Sequence, residues 1–90
     1  GLDPTGWNAG RAQPRNPWQI EFITGGAASG AGVAVAAGCA AFALGRDTRG
    51  DVRLPASALG LTALTVSEIG LRASGVHTLA PSLDRPMLPP

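Results

Sequence analysis

Residues 25 to 57 carry the strongest structural pattern in the chain and read GGAASGAGVAVAAGCAAFALGRDTRGDVRLPAS. From Ala27 to Cys39 alanine dominates, which favours a helix, and a glycine stands near the end of this run, where helices commonly stop. The apolar run AFAL at residues 41 to 44 predicts a short buried strand. A second helix is predicted from Gly50 to Leu59, and a further strand from Leu61 to Val66. The pattern therefore predicts an α/β arrangement.

The two ends of the chain differ from this central part. Residues 1 to 21 are rich in Gly, Pro and Asn, and three X-Pro pairs within them oppose regular structure. We expect a loop-like lead-in there, and an extended, proline-rich tail from Pro81 onward. With 90 residues in total, the chain has room for one domain at most.

Charge and cysteine content exclude several classes of function. All seven basic residues are arginine, six acids bring the net charge to +1, and the arginines are scattered rather than clustered as a phosphate-binding surface requires. We therefore expect no nucleic-acid binding. The single Cys39 lies in an apolar run, which predicts a small buried side chain and rules out a disulfide within the chain. No signal-peptide pattern is present at the N-terminus, so we expect a cytoplasmic location.

The uncharged run from Phe22 to Gly45 raises the alternative of a membrane-spanning helix. It is long enough to cross a bilayer, and Gly26 and Gly30 have the GxxxG spacing of closely packed membrane helices. However, glycine and alanine make up most of the run, and these residues contribute little to membrane insertion. A single-pass membrane peptide is therefore the less favoured interpretation.

Three segments together resemble the amidase signature family. Residues 25 to 57 are similar to a GGSS(G/S)G loop that opens an Ala-rich helix and is followed by a strand, a DTGGS loop and an R-x-P-A motif. Upstream, GWNAGRAQPRNP at residues 6 to 17 resembles the family's GxNxxYGTPxNP lead-in. Downstream, GVHTLAPSLD at residues 75 to 84 resembles GVxPLAPSxD. The three segments follow in the family's order.

The resemblance implies a fold and a domain layout. The fold would be a fragment of the family's mixed-sheet core, with an Ala-rich helix, short strands and a second helix. The chain would form a single partial domain over residues 1–90. Within it, residues 1–21 would be the lead-in, residues 22–84 the signature core and residues 85–90 the tail.

The resemblance also implies which residues should carry chemistry. The family uses a Ser, cis-Ser, Lys triad, in which one serine attacks the carboxamide carbon, the other relays protons and the lysine is the base. Asp51 stands at the nucleophile position and Ala27 at the bridging serine position, and the chain has no lysine. The resemblance therefore implies a hydrolase of carboxamide C–N bonds, but the substitutions predict an inactive one.

The two loops of the signature are altered as well. Thr48, Arg49 and Gly50 occupy the oxyanion-loop positions, and the arginine replaces a glycine, so we expect its side chain to intrude where the amide would lie. Ser29 is predicted to cap the Ala-rich helix with its hydroxyl. The glycine/serine loop comprises Gly25, Gly26, Ser29 and Gly30.

Two other uses of Asp51 can be considered. An exposed aspartate could act as a nucleophile, but it attacks an unactivated amide poorly, and the sole histidine, His77, is far along the chain. Arg49, Gly50 and Asp51 also spell RGD, the integrin-recognition tripeptide, although nothing else in the sequence suggests an extracellular ligand. We expect neither use.

Two functional classes remain open from the sequence. The first is a vestigial amidase-like hydrolase, whose substrate would be a small carboxamide if any activity were left, and which needs no cofactor or metal. The second is a non-catalytic interaction module that docks on a partner chain or associates with itself. Whether the chain is an enzyme stays undecided at this stage.

Overall fold

The computed structural model describes residues 3–66 and the backbone of one further strand at residues 85–88. Residues 3 to 21 contain no helix or strand, as predicted for the lead-in. Two helices and three short strands follow. They are α1 (Ser29–Ala36), β1 (Arg46–Asp47), α2 (Arg53–Leu59), β2 (Leu64–Thr65) and β3 (Arg85–Leu88).

Helix α1 is the predicted Ala-rich helix in a shortened form. It ends because Gly38 adopts a left-handed backbone, with φ of 74°, just after the last turn. The Gly38 amide donates to the Val35 carbonyl at 2.9 Å, and the Cys39 amide donates to the Ala34 carbonyl at 2.8 Å. This pair of bonds is the Schellman arrangement, which satisfies the last carbonyls of a helix.

The start of α1 corrects the predicted role of Ser29. Ala28 occupies the N-cap position and no side chain caps the helix, whereas Ser29 is the first helical residue and is buried. The Ala28 amide instead donates to the Asp51 carbonyl at 3.1 Å. The beginning of the helix is thus joined to a loop far along the chain, and its start cannot be read from capping residues nearby.

Helix α2 confirms the second predicted helix, three residues later than expected. Pro55 is its third residue, in the first turn, where a missing N–H costs no helical hydrogen bond. The helix ends at Gly60, whose φ is 67°, and the Leu61 amide then donates to the Ala56 carbonyl at 2.8 Å. The late start has a cause in the loop before it, which Asp47 holds out of helical geometry through its bond to the Gly50 amide.

The strands differ most from the predictions. The AFAL run at residues 41 to 44 is not a strand, and Phe42 and Leu44 are mostly exposed, so the prediction of a buried strand there is wrong. The strand predicted over residues 61 to 66 is present only at Leu64–Thr65. Residues 85–88, expected to be an extended tail, form the strand that pairs with both others.

The sheet has the order β1-β3-β2, and both of its pairings are antiparallel. Arg46 lies opposite Pro86 in the first pairing, and Leu64 lies opposite Leu88 in the second. Helices and strands together agree with the predicted α/β class. The family's larger mixed sheet stays a prediction, because the described strands form antiparallel pairs alone.

The core lies where the two helices meet. Leu59 is completely buried and Ala56 is 7% exposed. Gly32 of α1 lets the helices approach, since a Cβ there would lie only 2.8 Å from the Leu59 Cδ1 atom. Cys39, in contrast, is exposed, so the prediction of a buried thiol is wrong. It follows the glycine that terminates α1 and is carried out of the apolar face by that turn.

An open apolar depression lies beside this core, and we call it the apolar cleft. Its volume is ≈ 250 Å³. Its walls come from α1, the residues before β1, α2 and the residues leading into β2. The larger side chains that line it are Val35, Phe42, Leu44, Val52, Leu61 and Leu64.

No helix within the described residues is both long and apolar enough to cross a membrane. The uncharged run that suggested such a helix is broken after eight helical residues by the turn at Gly38.

Candidate functional site

Two adjacent glycines build the turn that precedes α1. Gly25 and Gly26 have φ of 69° and 60°, in the left-handed region that side-chain-bearing residues adopt only with strain. A Cβ on Gly26 would lie 2.6 Å from the Pro55 ring and 2.9 Å from the Asp51 carbonyl oxygen. The turn therefore needs glycine for its conformation and for close contact with the start of α2.

The lead-in fixes the other side of this turn. The Gly25 amide donates to the Thr5 carbonyl at 3.2 Å, and the Gly26 amide donates to the Pro4 carbonyl at 2.7 Å. With Ala28 bonded to Asp51, the glycine turn is held between the beginning of the chain and the loop before α2.

Asp47 organises the loop that follows β1. Its carboxylate is 1% exposed and accepts hydrogen bonds from the Gly50 amide and from the Arg53 guanidinium, whose Nε atom lies 2.6 Å away. A second guanidinium nitrogen, Nη2, lies 3.4 Å from the other carboxylate oxygen. Gly50 has φ of 90°, which allows its amide to turn back onto Asp47. The hydrogen bonds that close the loop therefore all end on one buried carboxylate, that of Asp47.

The electrostatics of this pair favour its charged form. Burial alone would raise the pKa of Asp47, but the hydrogen bonds from Arg53 and from the Gly50 amide outweigh burial and hold that pKa below its usual value. The hydrogen bond to Asp47 raises the pKa of Arg53. We call the group Gly25, Gly26, Asp47, Gly50, Arg53 and Pro55 the signature junction.

The structure brings the predicted catalytic positions to neighbouring segments. Ala27 follows the glycine turn directly, and the Ala28 amide is bonded to the backbone of Asp51. Asp51 itself is 8% exposed, so the expectation of an exposed carboxylate is wrong. Because Gly50 and Asp51 are both buried, they do not form the projecting loop that RGD recognition requires.

The other two predicted oxyanion-loop positions are less buried than Gly50. Thr48 is half-buried and Arg49 is exposed. The expected intrusion of Arg49 on a substrate stays a prediction. His77 and the GVHTLAPSLD segment lie outside the described residues.

Ala27 lines a second depression, which we call the polar cleft. Its volume is ≈ 260 Å³, and Asp51 is not one of its lining residues. Ser29 and Gly30 of the glycine/serine loop line it with Ala27, and the lead-in provides the opposite wall. The residues that contribute polar side chains are Asn8, Arg11, Gln13 and Ser29.

Sequence reasoning missed two residues that hold the lead-in in place. Asn16 is 1% exposed, and its Nδ2 donates to the carbonyls of Ile23 at 3.3 Å and Ala58 at 3.2 Å. The Trp18 indole donates to the Leu59 carbonyl at 2.8 Å, at the end of α2. An asparagine before a proline suggested only a turn, and its partner 42 residues away leaves no local signal.

Among the described residues, no group of three or more His, Cys, Asp or Glu side chains could hold a metal ion.

The signature junction lies within the stretch that comparison with known proteins matches. The model of the amidase family matches residues 1–85, so the chain belongs to the amidase family. Among curated relatives, the glutamyl-tRNA(Gln) amidotransferase A subunit from Roseiflexus castenholzii is 42% identical over 78 residues, which cover 87% of this chain and 16% of that protein. Its counterpart from Symbiobacterium thermophilum is 45% identical over 71 residues, covering 79% of this chain and 14% of that protein.

The chain therefore spans about one-sixth of the length of these curated relatives. No solved structure matches it. Family membership rests on the family model and on these relatives.

Proposed function

We propose that this chain is a signature segment of the amidase family that keeps the loop framework of the family's site but does not hydrolyse carboxamides by serine chemistry. One observation carries the proposal. The backbone of Asp51 is bonded beside the glycine turn, where a nucleophile would be needed, but its side chain is a buried carboxylate.

The chemistry of the two positions supports this proposal. Amide hydrolysis by a hydroxyl nucleophile needs a group that loses a proton on attack and a base that accepts it. Asp51 has no hydroxyl, the Ala27 methyl group cannot relay a proton, and the chain contains no lysine. Each step of the family's triad therefore lacks its group within this chain.

The test is hydrolysis of a panel of simple carboxamides and aryl amides by the purified chain, with Asp51→Ala as the matched control. We expect no turnover above that control. Turnover that disappears in Asp51→Ala would overturn the proposal and make Asp51 a catalytic residue.

A second variant separates loss of the serines from loss of the base. In Ala27→Ser/Asp51→Ser both hydroxyls are restored but no lysine is supplied. We expect this variant to be inactive too. If it turned over amides, a base within the chain would be identified, and inactivity of the native chain would be due to the two substitutions alone.

A non-catalytic interaction module is the second candidate, and the exposed apolar side chains favour it. Trp18, Phe22 and Ile23 are 70%, 67% and 61% exposed, and they belong to one short segment. Clusters of exposed large hydrophobic groups are typical of surfaces that contact another protein. The relatives are named as subunits of an amidotransferase, which is consistent with contacts between this chain and other chains.

Sedimentation equilibrium over a range of chain concentrations tests the self-association form of this candidate. We expect the average mass to rise with concentration and the rise to be lost in Phe22→Ser/Ile23→Ser. Glu21→Gln, an exposed neighbour, serves as the control. A monomer at every concentration would contradict self-association.

A further inference from the structure

The polar cleft has an unusual balance of charge and hydrogen-bonding groups. Among the described residues that line it, Arg11 is the one that is ionisable, and none is an acid. Arg11 is exposed and forms no ion pair within residues 3–66. The cleft therefore offers a positive charge that no carboxylate of the described residues neutralises.

The floor of the cleft adds a serine hydroxyl. Ser29 is 5% exposed and lines the cleft, and its side chain faces Gly6, another lining residue, where a Cβ would lie 3.3 Å from the hydroxyl oxygen. Within residues 3–66 this hydroxyl makes no hydrogen bond. No fully buried side-chain oxygen or nitrogen of the described residues lacks a partner, so this hydroxyl is not sealed from water and can be reached from the open cleft.

The first turn of α1 supplies the third contribution. The amides that open a helix have no partner within the helix, and the helix dipole places partial positive charge there. Ser29 and Gly30, which line the cleft, are the first two residues of this eight-residue helix, and no side chain caps it. The helix end therefore presents donors beside Ser29 that have no hydrogen-bond partner among the described residues.

The opposite wall is fixed by bonds within the lead-in. The Gln13 Nε2 donates to the Asn8 carbonyl at 3.0 Å, and the Asn8 Oδ1 accepts from the Gly10 amide at 3.0 Å. These bonds hold together the loop that carries Arg11. The loop that forms this wall is therefore held in shape by its own hydrogen bonds.

We propose that the polar cleft binds a small oxyanion, with Arg11, the Ser29 hydroxyl and the first amides of α1 as its donors. A carboxylate offers acceptors alone and a phosphate offers mostly acceptors, and these three groups can all donate, so the match is better than for a neutral carboxamide, which has one acceptor oxygen and N–H groups of its own. Alanine at position 27 adds only a methyl group to the floor, which leaves room for the ligand. A carboxylate and a phosphate share this chemistry.

This inference does not depend on the loss of turnover proposed above. A chain that hydrolysed amides could still bind an oxyanion in this cleft, and an inactive chain could fail to bind one. Binding and turnover are measured separately, so either proposal can fail alone.

The experiment is a titration of the ¹⁵N-labelled chain followed by amide chemical shifts. Sodium acetate, sodium phosphate and neutral acetamide are the probes, at constant ionic strength set with sodium chloride. We expect saturable shifts of the Ser29 and Gly30 amides with at least one of the two anions and none with acetamide. Acetate alone would identify a carboxylate site, and phosphate alone a phosphate site.

Three variants assign the binding to this cleft. Arg11→Gln should weaken it about tenfold, as expected for loss of a charge-assisted hydrogen bond. Ser29→Ala should weaken it about threefold or more without lowering the unfolding midpoint, because the hydroxyl has no hydrogen-bond partner within residues 3–66 to lose. Arg15→Gln, an exposed arginine that lines a different depression, should change nothing.

Other results would contradict oxyanion binding in the polar cleft. Equal loss of affinity in Arg11→Gln and Arg15→Gln would show nonspecific attraction to positive charge. Shifts of the same size with acetamide, or no saturable shift with either anion, would overturn the proposal.

Discussion

The signature junction and the apolar cleft lie side by side on α2, but they differ in how completely their side chains are buried. In the junction a buried carboxylate, three glycines with positive φ and a proline fit together within the chain. In the cleft Phe42 and Leu44 remain 53% and 65% exposed. Full burial of such a side chain contributes about 1.5–3 kcal/mol, and much of that contribution is not realised here.

The difference shows which kind of packing a short chain can complete with its own residues. Within the junction, Asp47 bonds to groups close to it in sequence, three residues before Gly50 and six before Arg53, and the earlier glycine turn packs against this loop through small groups. Burial of the side chains in the apolar cleft would need large apolar surfaces to pack together, and a small chain rarely provides them. We therefore expect substitutions in the junction to cost much stability and substitutions in the cleft to cost little.

The largest effect is expected from Gly26→Ala. The new Cβ would strain a left-handed backbone and press on the Pro55 ring and the Asp51 carbonyl, at a total cost of about 2–4 kcal/mol. Gly30→Ala is the matched control, because its Cβ would meet nothing within 4 Å and should stabilise the helix by about 0.5–1 kcal/mol. Urea unfolding measures both. Equal effects at the two positions would contradict the close packing of the turn.

The next largest effect is expected from Asp47→Ala, which should lower the free energy of unfolding by about 2–3 kcal/mol. The Gly50 amide would lose its acceptor, whereas the largely exposed Arg53 could return to water. Urea unfolding of this variant and of Glu21→Gln, whose carboxylate is exposed, separates the junction from a general charge effect. A loss no larger than that of the control would mean that Asp47 does not organise the loop.

The same carboxylate predicts how the stability depends on pH. The pKa of Asp47 is lowered in the folded chain, so its contribution is fully present above its unfolded value of 3.8 and is lost as pH falls through the lower folded value. We expect the difference in unfolding free energy between the native chain and Asp47→Asn to shrink below about pH 4. A difference that stayed constant down to pH 2 would contradict the assignment.

A smaller effect is expected where the lead-in meets α2. Trp18→Phe removes the indole donor to the Leu59 carbonyl and should cost about 0.5–1.5 kcal/mol. Trp7→Phe is a suitable control, because Trp7 is also exposed and has no indole bond within residues 3–66. Thermal unfolding of the two variants checks the difference. Equal midpoints would show that this bond contributes nothing.

The smallest effect on stability is expected in the apolar cleft. Phe42→Ser removes a half-exposed ring and should change the unfolding free energy by no more than about 1 kcal/mol. Leu59→Ala, at the completely buried neighbouring position, should cost about 2–5 kcal/mol. Urea unfolding compares them. A cost for Phe42→Ser close to that of Leu59→Ala would mean that the cleft is closed in solution.

Sequence reasoning succeeded where structure depends on local signals. Alanine content and a glycine near its end were enough to predict α1, and the hydrophobic pattern was enough to predict α2, each to within a few residues. The family resemblance assigned Ala27 and Asp51 to one site, and in the structure the amide of the next residue, Ala28, donates to the Asp51 carbonyl. Their roles in chemistry stay predictions.

The failures share a physical cause, which is dependence on distant partners. Residues 41 to 44 have the composition of a buried strand but no neighbouring strand to pair with among the described residues, and β3 takes its place from the far end of the chain. Asn16 looked like a turn residue because its acceptor on Ala58 is remote in sequence. The exposed Cys39 follows from the turn at Gly38, whose direction composition does not give.

The central claim is that the signature junction is a preformed framework within this chain, and amide hydrogen exchange tests it most directly. We predict that the Gly50 and Ala28 amides, bonded to Asp47 and Asp51, exchange at least about 100-fold more slowly than those of Phe42 and Leu44 beside the apolar cleft. Equal exchange rates in the two regions would contradict the claim.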